Sequence, residues 1–309
     1  MTRTAASPDI RTGSTTHDKA DHPRWQQALR LPFLLAVTLG LAACTNFFYN
    51  RLDTLAAWYI QDLVSLDESQ RSDLRSWLES TLQWHRTSEL ARYAKFLREL
   101  ANTASHPGNA STYKSIEAQV EQFGSRLVDQ AAPDAARLLM GLSPEQLTEF
   151  ETNLAEKSRE RNEENLKALQ NGTWHEKRAK DIEKQLKRWT GSITKQQHLL
   201  IAEESKQFDS TTADWLESQA HWRKAMFGAL RERFAAGQSP AAVEERILAL
   251  LRTPESQWTR AYQQKAAQNR EQSLEVLRAI DASLTPEQRS HLQRELNQLA
   301  QQLESMIPT

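Results

Sequence analysis

The chain has 309 residues, a formal net charge of −1, one cysteine and 9 glycines. Near-neutral charge argues against a nucleic-acid surface, which needs a strong basic excess. One cysteine excludes an internal disulfide and a thiolate metal cluster. The nine glycines are never closer than nine residues apart (Gly228 and Gly237), so no phosphate-cradling loop, dinucleotide fingerprint or GxSxG elbow is present.

Residues 1–24 are rich in Thr, Ser, Asp and Ala and are expected to be disordered. Leu31–Cys44, LPFLLAVTLGLAAC, is the only long apolar run. Its apolar part is too short to span a bilayer, which takes ~20 residues, but it fits the h-region of a secretory signal peptide. Arg24 and Arg30 give the positive flank. Leu41-Ala42-Ala43-Cys44 resembles a bacterial lipobox, which implies a leader over residues 1–43 and acylation of Cys44. A plain signal peptide is the alternative. Thr45 rather than Asp follows the cysteine. By the bacterial sorting rule this implies a lipid anchor in the outer membrane, on its periplasmic face. Residues 1–43 carry five basic and three acidic side chains, which leaves the remainder at −3.

Residues 44–309 read as all-helical, being rich in Gln, Glu, Leu, Ala and Arg. Phe47–Val64 carries an apolar stripe at Phe48, Leu52, Leu55, Tyr59 and Leu63. Its aromatics are expected to pack into the domain rather than touch headgroups. A long amphipathic run to about Ala104 follows, with Leu74, Trp77, Leu78, Leu82, His85, Tyr93, Leu97 and Leu100 on its stripe. Residues 105–111 are a loop, Tyr113–Gln130 is helical, Pro133 is a break, and a short helix reaches Met140. The helix from residue 142 to about 170 turns highly charged over 155–165, which reads as a solvated face. Helices follow over 174–190, from 193, over about 214–236, from Pro240, from Pro254 through 284, and from 284 to about 306. Gly172, Gly191 and Gly237 are stops. About ten helices joined by short loops predict an elongated multi-helix bundle, as one domain or as two subdomains meeting near 171–191.

Four helix starts share one form: Leu66-Asp67-x-x-Gln70, Leu142-Ser143-x-x-Gln146, Ile193-Thr194-x-x-Gln197 and Leu284-Thr285-x-x-Gln288. The Asp, Ser or Thr accepts from a helix-start N–H, and the Gln reaches back to the cap's own N–H. Pro144 and Pro286 occupy the first helical position, where a missing N–H costs nothing. Leu142 with Leu147 adds a hydrophobic staple. These pieces resemble the LTxxQ motifs of the Spy family of periplasmic chaperones, which are small, cradle-shaped and ATP-independent. Tyr49-Asn50-Arg51-Leu52-Asp53, Trp58, Leu66…Gln70, Trp84-His85 and Glu89-Leu90-Ala91-Arg92-Tyr93 together resemble a proteobacterial lipoprotein family of unknown function. That resemblance implies a lipid-anchored helical envelope protein and carries no activity with it.

The eight histidines form no HExxH motif and no His/acid cluster, so neither metal nor cofactor is expected. Three Trp–His neighbours (84–85, 174–175, 221–222) read as amphipathic helix positions, with sugar binding or pH sensing as the alternative. The expectation is a non-enzymatic protein that binds a protein partner or a folding client, with Trp58, Trp77, Trp84 and Tyr93 as the candidate surface. One alternative is a glycan-cleaving enzyme using Glu89 or Glu99. Another is a structural adaptor.

Overall fold

The computed structural model describes Tyr49 and residues 51–308. The leader, the lipobox and Cys44 lie outside the described residues. The fold is all-α, and no strand occurs among the described residues. In order the elements are α1 (Leu52–Gln61), α2 (Glu68–Trp84), a π-helical turn (His85–Glu89), α3 (Leu90–Thr103), α4 (Ala110–Met140) and α5 (Pro144–Gln170). Then come α6 (Trp174–Thr190), α7 (Lys195–Ser205), α8 (Thr212–Glu232), α9 (Pro240–Arg252), a 3-10 turn (Pro254–Gln257), α10 (Arg260–Ala282) and α11 (Pro286–Glu304).

All four expected capping boxes form, at Asp67–Gln70, Ser143–Gln146, Thr194–Gln197 and Thr285–Gln288. A fifth, Asn109–Thr112, opens α4. Gly172, Gly191 and Gly237 take the positive φ expected of helix stops.

Three segments differ from the sequence reading. Pro133 does not break its helix: α4 runs unbroken through it for 31 residues. Ala132 and Ala136 are buried on either side, and Ala136 packs in a core with residues of α8 and α9. Packing there outweighs the lost N–H. The segment after Pro254 is a single 3-10 turn, and Trp258 is extended before α10 begins. That break turns the Trp258 indole edge-on to Tyr262 at 5.0 Å and toward Trp215 at 6.4 Å. The run from 68 to 103 is one rod whose hydrogen bonding shifts to i→i+5 over His85–Glu89.

Three apolar cores hold the helices together. The first joins Val64, Ala136, Leu142 and Leu147 to Met226, Phe227, Leu230, Val243 and Ile247 of α8 and α9. Both staple residues, Leu142 and Leu147, belong to it. The second joins Tyr49, Leu90 and Ala94 to Ala300, Leu303 and Met306, and so packs α3 on α11. The third joins Ala179, Ile201 and Phe208 to Val276 and Ile280. The first two cores draw on residues from both sides of 171–191, the segment where two subdomains were expected to meet.

Candidate functional site

The four capped helix starts are not independent. They meet in two pairs, each closed by reciprocal glutamine amides. At the first clasp, the starts of α2 and α5, Gln70 Nε2 donates to Gln146 Oε1 at 3.0 Å and Gln146 Nε2 donates to Gln70 Oε1 at 2.7 Å. Gln70 also donates to the Gly141 carbonyl at 3.0 Å and Gln146 to the Ser65 carbonyl at 2.7 Å. Each oxygen also accepts from its own cap, from Asp67 N at 3.0 Å and Ser143 N at 2.8 Å. Every donor and acceptor of both amides is therefore used.

The second clasp, at the starts of α7 and α11, repeats this bond for bond. Gln197 and Gln288 exchange amide hydrogen bonds of 2.9 Å in both directions. Gln197 also donates to the Ser283 carbonyl at 3.1 Å and Gln288 to the Ser192 carbonyl at 2.8 Å. In all four cases the extra carbonyl lies two residues before the partner helix's cap. A Ser or Gly holds each of those positions.

A buried polar cluster surrounds the π-turn. Glu89 is wholly buried, and its carboxylate takes Arg126 of α4 in a two-pronged contact, with Nη2 at 2.6 Å and Nε at 3.0 Å. His85 Nδ1 lies 2.7 Å from the Tyr49 hydroxyl. Burial pushes His85 down to about 4 and Tyr49 up to about 12. The His85 ring meets Tyr93 edge-on at 5.4 Å, and Tyr93 meets Phe123 of α4 at 4.6 Å. Burial also raises the Tyr93 phenol, and among the described residues its hydroxyl meets no hydrogen-bond partner. The extra residue of the π-turn re-aims His85 and Glu89 toward α4 and Tyr49.

The four aromatics of the candidate surface are placed differently from one another. Trp58 is 72% exposed on α1. Trp77 and Trp84 are half-buried on α2, two turns apart and so on one side of it. Tyr93 is turned inward to the ring cluster. Of the aromatics of the 47–64 segment, Phe47 and Phe48 lie outside the described residues, and the expectation of inward packing holds for Tyr49, which is 5% exposed. It fails for Trp58 and Tyr59, which are 72% and 40% exposed.

Of the acids considered for glycan cleavage, Glu89 is closed off by Arg126, while Glu99 is exposed beside Lys95 at 3.9 Å. His175 meets the Phe208 carbonyl at 3.1 Å, and the Trp222 indole donates to the Leu250 carbonyl at 2.9 Å. His175 and Trp222 thus tie neighbouring segments together, while His221 is exposed. Two open surface clefts of about 440 and 520 Å3 lie beside Asp53 and Arg86 and beside Arg98 and Arg294. Among the described residues no group of three or more His, Cys, Asp or Glu is placed to hold a metal ion, and no helix is long and apolar enough to cross a membrane.

Residues 62–263 match a family of unknown function, DUF6279. The chain belongs to this family. The matched region holds the whole first clasp, Gln197 of the second, and the His85, Glu89, Tyr93 and Arg126 side chains. Gln288, Tyr49 and Trp58 lie outside it. No curated protein and no solved structure matches the chain.

Sequence reasoning found the glutamines as local caps and missed their pairing, which joins residues 76 and 91 positions apart. It also missed Arg126 as the partner of Glu89. A signal was available there: Glu89 stands four residues from both His85 and Tyr93, on the same helix face, so an acid fell on the buried stripe.

Proposed function

We propose that this chain is a lipid-anchored protein of the bacterial envelope that binds a protein partner or folding client without catalysis. The anchor is the acylated Cys44, which holds it on the periplasmic face of the outer membrane. The observation that carries the reading is the pairing of the four capped, glutamine-bearing helix starts into two closed clasps. The motif that resembles Spy chaperones is here a fastening that fixes four helix ends, and with them the surface between the ends. The α2 side bearing half-buried Trp77 and Trp84 is the surface assigned to the client. Two indoles on a fixed frame offer large apolar contact at low entropic cost. Support for a non-catalytic role comes from Glu89, whose carboxylate is occupied by Arg126.

The test is suppression of aggregation of a chemically denatured client, without ATP, by the acylated protein in detergent micelles. Suppression at equimolar protein, lost in a folded Trp77→Ala/Trp84→Ala variant, is the expected result. No suppression at several-fold excess would reject the client-holding form. In-cell crosslinking from position 77 to one dedicated protein would then identify the adaptor form.

A further inference from the structure

We propose that the outward face of α1 is a bilayer-docking surface: Leu55, Trp58 and Tyr59 insert at the headgroup level, and Arg161 of α5 binds lipid phosphate beside them. The proposal rests on the acylation of Cys44 and adds a second contact to it.

Among the described residues seven large apolar side chains are exposed, and three of them, Leu55 (44%), Trp58 (72%) and Tyr59 (40%), fall within five positions of one ten-residue helix. The spacing i, i+3, i+4 puts all three on one side. The opposite side of α1 is anchored, with Ala57 buried and Leu63 and Val64 buried just beyond its end. The helix therefore cannot roll to hide the exposed residues.

The occupant follows from the tether. Tyr49 is 5% exposed and packed in the second core, which fixes that point of the chain against α3 and α11. It stands only five positions after Cys44, and five extended residues reach at most ~18 Å. A domain held that close to its own acyl chains must turn some face to the bilayer, and α1 starts three residues after Tyr49. Trp and Tyr favour the headgroup level, where one end is apolar and the other wet.

Charge agrees with a phosphate-bearing surface. The Arg161 guanidinium lies 5.8 Å from the Tyr59 ring centre and donates to the Tyr59 hydroxyl at 2.7 Å. Its remaining N–H groups lie at the rim of the apolar face, as in an interfacial helix flanked by a cation. Lys157, one turn earlier on α5, sits 3.2 Å from Asp62 at the end of α1 and cancels the nearest acid. From the mixed-charge stretch 155–165 that reads as solvated in sequence, Arg161 and Lys157 thus border α1 and its end.

The experiment uses the full acylated protein in vesicles of phosphatidylethanolamine and phosphatidylglycerol, with and without brominated acyl chains. Tryptophan emission is recorded for the wild type and for Trp58→Phe, and the difference isolates Trp58. Because Trp58 is exposed, the substitution leaves the fold intact. Mass spectrometry of the N-terminal peptide reports acylation of Cys44 separately. The expected result is an acylated protein whose Trp58 signal is blue-shifted, lost with bromolipid and shielded from aqueous acrylamide. An acylated protein whose Trp58 is open to acrylamide and indifferent to bromolipid overturns docking and leaves the anchor standing. Shielding from both quenchers places a second protein on the face and also overturns docking. No acyl mass on Cys44 overturns the anchor and docking together.

Discussion

The two glutamine clasps share one hydrogen-bond diagram and differ in where they sit. Gln70 and Gln146 are half-exposed, whereas Gln197 and Gln288 are 0% and 1% exposed. Water can replace a bond lost from the part-buried amides of the first clasp, but the two amides of the second are closed to it. A net hydrogen bond contributes about 1 kcal/mol, while a buried polar group left without its partner costs about 1–3 kcal/mol. The same motif should therefore be a modest fastening at one place and a strict requirement at the other.

The largest break comes from Gln197→Ala. It removes the partner of the part-buried Thr194 N–H and of the Ser283 carbonyl, and it strands the Gln288 amide in the interior. Denaturant titration should show a loss of about 3 kcal/mol. The double variant Gln197→Leu/Gln288→Leu removes both amides, and its loss should fall below the sum of the two single losses. Additive losses would mean that the two amides do not act as one unit.

Acid sharpens the comparison, because the clasp glutamines do not titrate while the ring cluster does. Folded His85 sits at about 4 against an ordinary 6.5. Below pH 6.5 the unfolded chain takes up a proton that the folded chain refuses. The His85 contribution to stability should then fall as pH drops from 6.5 toward 4, by roughly 3 kcal/mol, and level off below. Stability curves of the wild type and His85→Phe should converge toward pH 4 in slope, with the His85 component absent from the variant. An unchanged slope in the variant would assign the acid response elsewhere.

Gly191 gives a smaller effect. It holds φ 75° just ahead of the second clasp, and an added Cβ would meet the His291 ring at 3.3 Å. Gly191→Ala should cost about 1–2 kcal/mol, read as a lowered midpoint of thermal unfolding. Gly172 has φ 70° with open space around it, so Gly172→Ala should cost less, through φ alone. The smallest effect is Gln70→Ala at the exposed clasp, about 1 kcal/mol. A loss there equal to that of Gln197→Ala would refute the role given to burial.

The sequence displays local signals clearly. Asp67, Ser143, Thr194 and Thr285 with their glutamines mark helix starts by short-range chemistry, and Gly191 marks a stop the same way. Pairing of the starts is a tertiary fact, and nothing local distinguishes Gln146 as the partner of Gln70 from Gln197. Pro133 carries a strong local break signal that core packing of Ala132 and Ala136 overrides. The π-turn at His85–Glu89 has no compositional mark. It exists because Glu89 must reach Arg126 and His85 must reach Tyr49. Of the candidate surface, the aromatic residue types were legible, but their exposure was not, since helix period alone does not say which stripe a neighbour covers.

The packing of α3 on α11 has a consequence for the order of events in time. Tyr49, Leu90 and Ala94 wait for Ala300, Leu303 and Met306, and Arg98 waits for Glu304, to which it donates at 2.8 and 2.6 Å. These partners are separated by some two hundred residues, so loop closure makes their meeting a late and slow event. A chain emerging N-terminus first leaves the face of α3 bare until its last helix arrives. Until then the early segments form a sticky intermediate, open to any escort protein that binds bare apolar surface.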